Sequence, residues 1–209
     1  MLSARTARVA AAVAAAGGWS LYLLWSRRPA RPTTHRLKDG RRVRVRTAEK
    51  RDAPAVLDQV KKLAIFEREP VRVVEVTLDQ LTKDGWGSPK RFECLLLETL
   101  DETGRANAVG FALYYFSYST WQGTCCYLED LFIDESCRGS GAGTLMLRSV
   151  AGVAANTNCA RFHWQALDWN TAAINFYVAL GARRMDDWVS LRMGRKALAS
   201  FVNAAPPQA

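Results

Sequence analysis

A chain of 209 residues, 49% of them apolar, is long enough to bury one full core and leaves little over for a second domain. Its formal charge of +9 belongs to the N-terminus: residues 1–38 hold seven Lys or Arg and no acid, whereas from Thr47 onward 18 basic residues face 19 acidic ones. A near-neutral body argues against nucleic acid as a partner, and five cysteines without Cys-x-x-Cys spacing argue against a disulfide framework; with only two histidines, no metal is expected.

Val9 to Trp25 is a 17-residue run of mainly small or apolar residues, preceded by Arg5 and Arg8 and followed by Arg27, Arg28 and Arg31. Two readings stand side by side. Seventeen residues is the lower limit for crossing about 30 Å of hydrocarbon, and the greater positive charge after the run would leave the domain on the cytosolic side of a membrane. Freedom from acids with Arg, Ser and Ala enrichment equally suits a mitochondrial transit peptide. Without the leader, a cytoplasmic protein is expected. Pro29, Pro32 and the polar residues to Gly40 read as linker, so residues 1–38 form leader or anchor plus linker and residues 39–209 the folded domain.

Arg42 to Thr47 alternates charge with valine, as a half-buried strand does. Asp52 caps a helix with Pro54 in its first turn, whose apolar face runs from Val56 to about Glu67; a shorter helix is capped by Thr77 and stops near Gly85. Phe92–Leu100, Ala108–Ser119 and Cys125–Ile133 read as strands joined by hairpins. A helix to about Asn156, a strand at Arg161–Ala166, a helix from Asn170 to Leu180 ended by Gly181, and a last strand near Val189–Met193 complete the pattern. Such a mixed sheet with helices on both faces is an α/β assignment.

The most informative stretch is Leu131 to Thr144, where an apolar strand runs into a glycine turn that opens a helix. Gly139, Gly141 and Gly143 let the backbone approach a ligand closely, and N–H groups without helical partners converge at the positive end of the helix. A diphosphate fits such a cradle. The spacing meets neither the dinucleotide fingerprint nor the Gly-Lys-Ser/Thr of a P-loop.

Arg138-x-x-Gly141-x-Gly143 resembles the signature of the GNAT acetyltransferases. Tyr127-Leu128-Glu129-Asp130 before the turn, with Trp169-Asn170 and Ile174-Asn175-Phe176-Tyr177 after it, resembles the diamine N-acetyltransferases within that family. Phe116 to Trp121, Leu167 to Asn170 and Ala179 to Ala182 are more similar to the branch that acetylates thialysine. The likeness covers roughly Arg44 to Met193. It implies a GNAT acyltransferase fold, acetyl-CoA as co-substrate, a small-molecule amine as acceptor and a homodimer. Leu131, Phe132 and Ile133 would offer backbone groups to the pantetheine arm. The turn from Arg138 through Gly139, Ser140, Gly141, Ala142, Gly143 and Thr144 would take the diphosphate, and Asn170, Ala173 and Tyr177 further cofactor contacts.

Acetyl transfer to an amine needs a group to take the ammonium proton and an acid for the departing thiolate. The resemblance assigns the first to Glu129, through water, and the second to Tyr177, whose phenol keeps its proton at neutral pH. Glu129 and Asp130 adjoin on a strand, so their side chains are expected on opposite faces. Phe66, Glu67, Trp121, Asp130 and Asp187 match acceptor-binding positions. Ser119 stands where relatives specific for spermidine carry an acid, which weakens a polycation site by about 1–3 kcal/mol and favours thialysine and short amino compounds. Cys125, Cys126 and Cys137 have no His partner in a triad pattern, so direct attack is expected rather than an acetyl-enzyme. Two rivals share the chemistry or the cofactor: a protein or peptide lysine acetyltransferase, and an idle acetyl-CoA-binding domain.

Overall fold

The computed structural model describes residues 32–204. They divide into two compact units, one ending at Gln165 and one starting at Ala166.

The first unit is built on a six-stranded sheet in the order β1-β2-β3-β4-β5-β6. Its strands are β1 (Thr33–Arg36), β2 (Arg42–Thr47), β3 (Glu93–Leu100), β4 (Ala106–Ser119), β5 (Gly123–Ile133) and β6 (Arg161–Trp164). All neighbours are antiparallel except β5 and β6, which run parallel. Three helices belong to it: α1 (Ala53–Phe66), α2 (Leu78–Trp86) and α3 (Ala142–Asn156). Pro54 sits in the first turn of α1, and Thr77 caps α2 by accepting from the N–H of Gln80 at 3.2 Å.

Strand alternation sends β3 residues to opposite sides. Cys94 and Leu96 join Phe111, Leu113 and Phe132 in one core cluster with Val56 of α1 and Leu81 of α2. The intervening Leu95 and Leu97 are fully buried on the other side, which α3 covers with Met146 and Val150. Helices thus lie on both faces, as an α/β sheet requires.

β1 falls within the stretch read as linker. Proline and polar composition hid it, because an edge strand can be wholly exposed when its partner supplies the hydrogen bonds, and Thr33–Arg36 is exposed throughout.

A buried ion network ties α1 to the sheet. Arg46 lies between Asp52 at 2.6 Å and Glu98 at 2.6 Å, and Arg44 reaches Glu98 at 2.7 Å. Burial pushes Glu98 up, but the two guanidiniums outweigh it and hold the carboxyl below its usual range; Arg46 does the same for Asp52. Depressed carboxyls stabilise the fold above their ordinary range and lose that contribution as pH falls. Replacing Arg46 by Ala strands Asp52 and leaves Glu98 with Arg44 alone, and is expected to cost about 3 kcal/mol in urea unfolding near neutral pH. The loss should shrink as pH falls through 4; a midpoint equal to that of the wild type would show the network to be idle.

The second unit contains α4 (Thr171–Ala179) and α5 (Arg195–Asn203). Asn170 caps α4, accepting from the N–H of Ala173 at 3.2 Å, and Gly181 follows at φ +95°, a conformation that suits glycine. The strand expected near Val189–Met193 does not form: the apolar alternation is present, yet a strand needs a partner for its backbone, and these residues pair with none among those described. Val189 and Leu191 are 81% and 89% exposed. Helix α5 was not expected.

Among the described residues no helix is long and apolar enough to cross a membrane. That overturns the expected membrane-anchored location for this part of the chain; residues 9–25, on which both the anchor and the transit-peptide readings rested, lie outside the described residues.

Candidate active site

The carboxylates expected to act on the amine meet through an irregularity in the sheet. Pairing between β4 and β5 passes directly from Leu113–Asp130 to Tyr114–Leu128, so Glu129 is an extra residue in β5. Leu113 and Tyr114 point to opposite faces, hence Asp130 and Leu128 do too, although they lie two apart. Tyr127, opposite Tyr115, therefore shares the face of Asp130. The expectation that Glu129 and Asp130 serve opposite faces assumed a regular strand, and the bulge breaks that regular alternation at Glu129. The negative charge of Glu129 acts on Asp130, Tyr115 and Tyr127 together.

Glu67 enters from the C-terminal end of α1, where helix geometry stops, and its charge also bears on Asp130. Burial foremost, then Glu129 and Glu67, pushes the Asp130 carboxyl up to about 7. Burial, then Glu69, raises Glu67 as well. Glu129 itself is exposed. Two further carboxyls thus bear on Asp130, an arrangement that favours a cation.

Tyr115 and Tyr127 stack at 5.1 Å beside this cluster, and His163 meets Tyr127 edge-on at 4.9 Å. These rings were not anticipated. Tyr127 stands two residues before Glu129, but only the bulge and the β4–β5 register connect it to Asp130.

Phe66 packs instead under Arg138, whose guanidinium lies 4.3 Å from the ring centre and 5.6 Å from that of Phe132. The same side chain donates from Nε to the Ile133 carbonyl at 3.0 Å. Arg138 therefore braces the end of β5 against α1.

The glycine turn has the form that its sequence implies. Gly139 and Gly141 adopt φ +73° and +94°, which side chains rarely tolerate, and no heavy atom lies within 4 Å of where a Cβ would stand on Gly139. Gly141 is the N-cap of α3, and no side chain caps the helix. Ser140 is buried, its hydroxyl donating inward to the Cys137 carbonyl at 2.6 Å, so it offers the turn its backbone rather than its side chain. Beyond Leu128 the pairing of β5 with β6 ends, so the edge from Glu129 to Ile133 has no strand partner on that side among the described residues. A peptide-like chain can add there.

Trp121 is 89% exposed at the β4–β5 hairpin tip, two residues before β5 starts, and Glu129 lies six residues, about 20 Å, along β5 from Gly123. In the second unit, the Asn170 side-chain oxygen is engaged in capping, Tyr177 is half-buried with its phenol pushed up by burial, and Asp187 is exposed. Asp186 pairs with Arg184 at 3.0 Å. Cys126 is buried and its thiol pushed up to about 12, which keeps it protonated and inert as a nucleophile.

Residues 60–182 match the sequence profile of the Acetyltransferase (GNAT) family. A thialysine N-epsilon-acetyltransferase of Mus musculus is 37% identical over 161 residues, covering 74% of this chain and 94% of that protein. A spermidine/spermine N(1)-acetyltransferase-like protein of Homo sapiens is 35% identical over 159 residues, 74% of this chain and 23% of its own. Among solved structures, an integron cassette protein from V. cholerae superposes with a TM-score of 0.63 at 20% identity, covering 78% of this chain and 98% of that one. An acetyltransferase of Trypanosoma brucei does so with a TM-score of 0.55 at 19% identity, covering 72% and 99%. At such identities the structures speak for the fold alone. With a profile spanning more than half its length and a relative above one-third identity across three-quarters of it, the chain belongs to the GNAT acetyltransferase family.

Proposed function

We propose that this protein transfers the acetyl group of acetyl-CoA to a primary amine of a small amino compound, thialysine or a short diamine, by direct attack in a ternary complex. The observation that carries the reading is the convergence of the Glu67 and Glu129 charges on Asp130 of β5, just before a turn whose open glycines suit a diphosphate. Acetyl-CoA supplies an acetyl group activated as a thioester.

The residues present fit it. Backbone N–H groups from Gly139 to Thr144, at the uncapped start of α3, receive the diphosphate, and the free edge of Leu131 to Ile133 receives the pantetheine arm. Arg138 holds that edge in place through the Ile133 carbonyl. Asn170 orders the start of α4, bringing the Ala173 N–H into its cap, and Tyr177 lies two turns on. Glu67 and Asp130 attract the ammonium, and Glu129, exposed to solvent, takes its proton through water. Tyr177 Oη gives its proton to the leaving sulfur. No thiol takes part: Cys125, Cys126 and Cys137 are buried.

Residues 39–209 are proposed to make up the catalytic domain, with β1 added to its sheet, and the active form to be a homodimer. The family resemblance supports the dimer, and the exposed Trp188, Val189, Leu191 and Met193 offer apolar surface for a second copy.

An acceptor panel tests the assignment. Release of CoA from acetyl-CoA should be fastest with thialysine and short diamines, at least about tenfold slower with spermine, whose extra charges lack a carboxylate at Ser119, and slow with a lysine peptide. Preference for the peptide would transfer the activity to protein lysines. Binding of acetyl-CoA with no acceptor-dependent release would mark an idle domain.

A further inference from the structure

The N-terminal hairpin, read from sequence as part of a basic linker, is fastened to the glycine turn. β1 and β2 are joined by Leu37–Arg41, a tight turn closed by the Leu37 N–H to the Arg41 carbonyl at 2.9 Å and by Gly40 at φ +86°. Leu37 is buried. The Lys38 N–H donates to the Ser140 carbonyl at 3.0 Å, inside the turn that opens α3. Arg41 Nη2 donates to the Ser136 carbonyl at 2.7 Å and Nη1 meets Cys137 Sγ at 3.0 Å. Three contacts therefore hold one loop against the other.

This anchorage leaves the Lys38 side chain at the mouth of the cradle. Its Cγ and Cε both lie 3.9 Å from where a Cβ on Gly141 would stand, so the stem passes over the N-cap of α3 and the ammonium is one bond further on. Lys38 is exposed, and among the described residues its ammonium has no ion-pair partner. The acid beside it is already neutralised, since Asp39 pairs with Arg41. Arg138, the cation that the signature would send to the phosphates, is turned toward Phe66 and the Ile133 carbonyl. The cradle thus has main-chain donors and a helix end, and the N-terminal hairpin brings a flexible positive charge beside it.

We propose that Lys38 is a cofactor-binding residue that contacts the diphosphate of acetyl-CoA, supplied by a hairpin docked on the turn. The inference rests on the reading of the glycine turn as the diphosphate site. An ammonium is a compact charge on a flexible stem, suited to non-bridging phosphate oxygens. Because the Lys38 backbone is already fixed at Ser140, binding orders only its side chain.

Calorimetry on the full chain tests this with acetyl-CoA and 3′-dephospho-acetyl-CoA at low and high salt. Lys38→Gln should weaken both ligands equally, by about fivefold to tenfold at low salt, with the gap closing at high salt. Lys38→Arg should restore most of the affinity, and the thermal melt of both variants should equal that of the wild type. Unchanged affinity in Lys38→Gln, or a loss that salt does not alter, would overturn the assignment. A loss confined to acetyl-CoA would move the contact to the 3′-phosphate and overturn it equally. If the wild-type chain fails to bind either ligand, the turn is not the diphosphate site and both conclusions fall together.

Discussion

Replacing Tyr177 by Phe is expected to lower kcat by about 100- to 1000-fold while leaving the Kd for acetyl-CoA within about threefold, because only the proton is removed. The physical basis is that a departing thiolate needs a proton and that burial raises the Tyr177 phenol above its ordinary value. A phenol raised in this way stays protonated through the whole neutral range, so the wild-type rate should show no ionisation of this group below pH 9. Steady-state kinetics with a saturating acceptor, paired with calorimetry, separates the two parameters. Full turnover in Tyr177→Phe would remove this residue from the chemistry and leave it as packing against Phe176, whose ring lies 5.1 Å away.

The second large effect should come from Glu129→Gln, which keeps shape and removes the proposed proton acceptor. We expect kcat/KM for the amine to fall about 100-fold, with acetyl-CoA binding unchanged. Asp130→Asn separates attraction from acceptance. Burial, Glu129 and Glu67 raise Asp130 to about 7, so this carboxyl is half-ionised at neutral pH and the charge offered to an ammonium grows as pH passes through 7. The wild-type kcat/KM should therefore rise through that range, and Asp130→Asn should lose that rise while retaining most of kcat.

The sign of the stability effect follows from the same shift. The folded protein holds the Asp130 proton more tightly than the unfolded chain, so this group's contribution is present below about pH 4 and is lost as pH rises through about 7. Asp130→Asn should then be more stable than the wild type at pH 8, by on the order of 2 kcal/mol in urea unfolding. Identical pH profiles for both proteins, in kinetics and in stability, would show that Asp130 is ionised throughout and plays no part.

Local signals in the chain already carried helices α1 to α4 and the central strands. The period of Val56, Leu57 and Val60, the Thr77 cap and the Asn170 cap are interactions between near neighbours, and each appears where its residues stand. The glycine turn was equally legible, because a positive φ at Gly139 and Gly141 is a property of single residues. So was the family, whose motifs are short and contiguous.

What the tertiary structure decided was everything that depends on register and on partners distant in sequence. A bulge at Glu129 arises from the competition between two strands for hydrogen bonds, and it brings Asp130 to the side of Tyr127 against simple alternation. Val189 to Met193 has the pattern of a strand but no neighbour to pair with, so pattern alone failed there. Thr33 to Arg36 lacks the pattern yet forms a strand because β2 offers it an edge. Lys38 illustrates the same rule: nothing near residue 38 announces a ligand site, and only docking on Ser140, a hundred residues away in the chain, gives its charge a place.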